Sequence, residues 1–116
     1  MKNLQNNFTT QEQSKRLLEL GVPADSADMY YHLANYQYYV RDEFSIKQND
    51  FFEFYKNIFY PCWSVGRLIE ICKICEPKKY YEELCEELQW SQNYCVVIIS
   101  HIIANLRVID FSKLEE

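Results

Sequence analysis

The sequence is poor in the residues that bend a chain or activate a nucleophile. It has two glycines, three prolines and two histidines in 116 residues. Gly21 and Gly66 lie far apart, so no glycine-rich loop can bring successive backbone N–H groups around a phosphate, and a nucleotide-binding loop is excluded. An excess of positive charge is also missing. Twelve basic against seventeen acidic residues give a net charge of -5, and no segment hides a basic arm, since residues 1–41 sum to zero, 42–61 to -2 and 62–116 to -3. Such a chain repels nucleic-acid phosphates, so nucleic acid is not an expected partner.

Long hydrophobic runs are absent as well. Residues 88–106 carry no Asp, Glu, Lys or Arg, but polar side chains interrupt them and unbroken apolarity lasts only from Tyr94 to Ile99. That is far short of the roughly 20 residues a membrane helix needs, so no membrane association is expected. The N-terminus lacks the apolar core of a secretory signal, which reads as a cytoplasmic protein with a disordered start over residues 1–8 and a single globular domain over 9–116. Five cysteines, an odd number, fit reduced thiols better than a disulfide framework.

What is abundant is aromatic surface. Ten Tyr, seven Phe and two Trp make 16% of the chain, and thirteen of these nineteen fall within residues 30–63. Strand-preferring aromatics before and after the polar stretch 42–50 predict a hairpin, with one strand near residues 36–41. Residues 51–56 read equally as a second strand or a helix start. Alternation would send half of each strand to each face. Tyr36, Tyr38, Tyr39, Phe52, Phe54 and Tyr55 are therefore the candidate binding surface.

Helix signals surround this region. Thr9 and Thr10, each followed three residues later by Glu12 or Gln13, form overlapping capping boxes that start a helix ending at Gly21, with Pro23 beyond it. Residues 23–29 allow one further turn. Ser64 caps a helix running to Cys75, and residues 80–89 alternate glutamates with Leu84, Cys85 and Leu88 as an amphipathic helix. Residues 91–106 form a last helix, apolar almost all round, whose Val96–Ile99 run also fits a strand. Its apolarity predicts self-association, as a homodimer, through Val97, Ile98 and Ile102. The fold class expected is α+β and helix-rich, with a small antiparallel sheet or hairpin packed by three to four helices.

The segments from Thr10 to Gly21, from Ala27 to Met29 and from Pro61 to Leu68 resemble a family of small uncharacterised proteins found in prophages and other mobile elements of gut bacteria. The resemblance spans roughly residues 9–75. It implies a cytoplasmic α+β protein with a short antiparallel sheet and flanking helices, and it implies no activity. Family members tend to carry further strands in the region of residues 76–95, where this chain departs from the pattern.

Three kinds of chemistry remain to be weighed. Cys72, Cys75, Cys85 and Cys95 could supply four thiolates to a tetrahedral zinc, although the first two sit where a helix needs small apolar residues. Cys62 or His101 could serve a small hydrolase or transferase. Ser100 and His101 point about 100 degrees apart on a helix and form no dyad with each other. The leading expectation is a protein-interaction or accessory protein without a cofactor, and not an enzyme, whose protein partner the sequence does not name.

Overall fold

A computed structural model describes residues 7–115. Thr10 caps the first helix, α1 (Gln11–Glu19). Its hydroxyl accepts from Gln13 N–H at 3.1 Å while the Gln13 side chain accepts from Thr10 N–H at 3.0 Å, so the second of the two overlapping capping boxes is the one formed. Thr9 is instead buried, and its hydroxyl accepts from the Trp63 backbone N–H at 3.0 Å. Gly21 ends the helix at φ 103°, a left-handed position that only glycine adopts without strain. One 3₁₀ turn follows at Ala24–Ser26, as the sequence predicts.

The sheet has three short antiparallel strands, β1 (Met29–His32), β2 (Gln37–Val40) and β3 (Phe59–Cys62), in the order β2-β1-β3. The expected hairpin is therefore displaced. Its two arms are residues 29–32 and 37–40, not the segments on either side of residues 42–50. The turn between them uses no glycine. Tyr36 takes the left-handed conformation at φ 61°, the Asn35 side chain accepts from Gln37 N–H, and His32 Nδ1 accepts from Ala34 and Asn35 N–H.

The polar stretch after β2 holds a short helix, α2 (Glu43–Lys47), capped by Asp42. Residues 51–56 resolve in favour of helix, α3 (Phe51–Phe54). Then come α4 (Val65–Cys75), α5 (Lys78–Leu88) and α6 (Tyr94–Ala104), followed by 3₁₀ turns at Leu106–Val108 and Phe111–Glu115. The expected α+β, helix-rich class is the class observed. Residues 76–95 hold helix, with no strand among them.

Ser64 starts α4 through its hydroxyl, which accepts from Arg67 N–H at 3.1 Å. Asp28 fixes that cap to β1, accepting from both Ser64 N–H at 2.9 Å and its hydroxyl at 2.6 Å. Between sheet and helices lies one core, centred on Leu17, Trp63, Leu68, Ile71, Leu84 and Ile98. Trp63 is fully enclosed and its indole N–H donates to Ser26 Oγ at 3.0 Å, so the largest core side chain leaves no polar group unmet.

The disordered start expected over residues 1–8 lies, for residues 1–6, outside the described residues. Phe8 bridges Ser64, and Val65 N–H donates to Asn7 O at 2.9 Å.

Candidate functional site

The sheet register decides which aromatics can act together. Tyr30 lies opposite Tyr39 and Pro61, while Tyr31 lies opposite Tyr38 and Tyr60. Paired residues share a face and neighbours along a strand do not. One face therefore carries Tyr31, Tyr38 and Tyr60, with the Phe8 ring 4.5 Å from that of Tyr38. The other carries Tyr30, Tyr39, His32 and Phe59.

On that second face the rings form a continuous belt. Tyr39 stacks on Tyr30 with centroids 5.4 Å apart, Tyr30 meets Phe59 at 4.4 Å, Phe59 meets Tyr55 at 5.2 Å and Tyr55 meets Phe54 at 4.8 Å. Phe51 lies within 5.9 Å of Tyr30, Tyr55 and Phe59 and links the belt to the core. These separations are the ones at which ring quadrupoles attract in tilted or offset geometry. The belt ends on Phe54, 71% exposed, and Ile58 four residues on is exposed as well. A backbone bond from Leu33 N–H to Ile58 O at 2.9 Å ties that end to the hairpin.

Arg41 anchors the belt at its root. This arginine is buried, its guanidinium sits 4.8 Å from the Phe51 ring centroid and 5.0 Å from that of Phe52, and it donates to the carbonyls of Asp25, Ala27 and Ser45. Desolvation lowers its pKa, opposed by the nearby charges of Asp25 and Asp28. The planar fork joins the end of β2, the 3₁₀ turn and α2 in one knot.

Of the six residues expected to form the binding surface, three share the belt: Tyr39, Phe54 and Tyr55. Tyr36 stands at the hairpin tip, 73% exposed. Tyr38 points to the opposite face. Phe52 must be corrected, since it is buried at 5% exposure beneath Arg41, where the helical period of α3 turns it inward while Phe54 turns out. His32 and Phe59 belong to the belt and were missed, because the strands that place them are not the strands the composition suggests.

The last helix needs a similar correction. Ile98 and Ile102 are fully buried in the protein's own core and are not available as an interface between copies, while Val97 is half-buried. The reason is that α6 packs against both α4 and α5, which takes up its apolar face.

The cysteines do not converge. Among the described residues no group of three or more His, Cys, Asp or Glu side chains is placed to hold a metal ion, so Cys72, Cys75, Cys85 and Cys95 are not a ligand set. Cys72, Cys75 and Cys95 are core side chains, and burial pushes the Cys75 and Cys95 thiols up to about 11. Cys62 donates to Thr9 O at 3.2 Å, and burial raises its thiol to about 12. A thiol so held is the opposite of an activated nucleophile.

His101 does have a partner, but not one sequence spacing could show. Its Nε2 lies 2.9 and 2.8 Å from the two carboxylate oxygens of Glu76, and both side chains are buried. Asn105 Nδ2 faces His101 Nδ1 at 3.3 Å, which makes Nδ1 an acceptor and leaves Nε2–H to donate to Glu76. Both ring nitrogens are thus engaged, and the pair joins the end of α4 to α6.

No helix among the described residues is long and apolar enough to cross a membrane. Compared with protein-family models, curated proteins and solved structures, the chain matches none.

Proposed function

We propose that the protein is a small interaction or accessory module that docks a protein partner on the aromatic belt of Tyr39, Phe59, Tyr55 and Phe54. The observation that carries this reading is the belt's continuity from the buried Phe51 to the exposed Phe54. Interface hot spots have this character: rigid aromatic side chains, rooted in a packed core, that lose little conformational entropy when covered. The neighbouring edge supports it, because β2 and its turn, residues 33–40, contain no charged side chain to discourage a partner from pairing there. All five cysteines are free thiols, which favours a reducing compartment such as the cytoplasm for the encounter.

The test is affinity capture from the native host with the wild-type chain and with a Tyr39→Ser/Phe54→Ser variant of unchanged thermal stability. Partners enriched by the wild type and lost by the variant support the reading. Equal capture by both sinks it.

A further inference from the structure

A second surface lies away from the belt, where α5 and α6 enclose a groove of about 800 Å³. One wall is α5, which presents Glu83, Glu86 and Glu87. The other is α6, which presents Val96, Val97 and the small residues Ser100 and Ala104. At one end stands Trp90, 83% exposed.

The acidic wall is uncompensated. Glu82 on the same helix pairs with Lys78 at 3.8 Å, but among the described residues Glu83, Glu86 and Glu87 have no cationic partner. From Tyr80 to Leu106 the chain contains no Lys or Arg at all. Glu86 and Glu87 also occupy the last turn of α5, where the helix dipole already concentrates negative potential and no basic side chain offsets it. These charges repel one another and the helix end they sit on. A cation laid along the groove relieves both.

We infer that the α5–α6 groove is a docking site for a basic amphipathic helix of a partner protein. Its lysines or arginines would meet Glu83, Glu86 and Glu87, its apolar residues would rest on Val96 and Val97, and one cation would lie on the Trp90 ring. A second copy of this chain is a poor occupant, since the same groove would oppose glutamate to glutamate. An anionic membrane surface is repelled for the same reason. The inference concerns a different face from the aromatic belt, and either can fail without the other.

The two tryptophans make the test direct, because Trp63 is sealed in the core and only Trp90 can sense an occupant. The probe is a synthetic helical peptide of Leu and Lys, about four turns long, arranged with the lysines on one face. A scrambled peptide of identical composition serves as its control. Expected is a saturable blue shift of tryptophan emission with the amphipathic peptide, weakened at least about tenfold in a Glu83→Gln/Glu86→Gln/Glu87→Gln variant and unchanged in Glu43→Gln. The substituted positions are exposed, and an unchanged circular dichroism spectrum establishes that the variant is folded. The inference is overturned by the absence of a shift up to about millimolar peptide, by equal binding of the scrambled peptide, or by a triple variant that binds like the wild type.

Discussion

His101 holds both carboxylate oxygens of Glu76 within 2.9 Å, in a position from which water is excluded. The two residues are 25 positions apart and meet only because α4 and α6 pack side by side. Removing one partner strands the other in the core. His101→Ala should therefore cost about 3 kcal/mol of stability, and a Glu76→Leu/His101→Leu variant should cost less than the sum of its single changes. Urea unfolding of the four proteins in the cycle measures this.

The same pair sets a pH dependence. Desolvation raises the Glu76 pKa, the hydrogen bond from His101 opposes it, and Glu83 raises it further, with a net upward shift. The folded state thus holds this proton more tightly than the unfolded chain does. The contribution is complete below the unfolded carboxyl value of about 4.3 and is lost as pH rises through the elevated folded value. Relative to Glu76→Gln, the wild type should lose stability as pH rises from about 4 toward neutrality. A difference that stays flat, or grows, would contradict the assignment.

Thiol reactivity should follow burial. Cys85 is the half-buried one of the five, while Cys62 and Cys72 are enclosed and held as thiols by desolvation. A neutral-pH titration with an aromatic disulfide reagent should show one fast equivalent at Cys85 and four that appear only on unfolding. Fast modification of Cys62 would revive the nucleophile reading.

Phe51 and Phe54 are three residues apart on α3 and should respond in opposite ways. Phe51→Ala removes a ring that touches Tyr30, Tyr55 and Phe59, with an expected loss of about 3–5 kcal/mol. Phe54→Ser should change stability by less than about 0.5 kcal/mol. Thermal melts separate the two, and a large loss at Phe54 would mean that its ring packs the fold and is not free to serve a partner.

Helix boundaries were legible in the sequence wherever a side chain caps the backbone, as at Thr10, Gly21 and Ser64, because that chemistry is local. The sheet was less so. The turn of the hairpin carries no glycine to mark it and is made instead by the Asn35 and His32 side chains with Tyr36 left-handed. Misplacing that turn moved the hairpin by several residues and hid His32 and Phe59. The apolar character of α6 was plain, but not its neighbours, so its buried Ile98 and Ile102 read as an interface. The Glu76–His101 bond was out of reach, since no local rule couples side chains on separate helices.

The pairing of the N-terminal segment with the start of α4 bears on how the chain reaches this structure. Thr9 and Trp63, 54 residues apart, meet through Thr9 N–H to Trp63 O and Trp63 N–H to the Thr9 hydroxyl. Closing so long a loop is an entropic step that no local helix can prepare, and it must precede the sealing of Trp63. Folding should thus wait on this seam, and Thr9→Val, which removes its acceptor, should open it, making the backbone amides of residues 7–9 and 62–65 exchange hydrogen with solvent sooner than they do in the wild type.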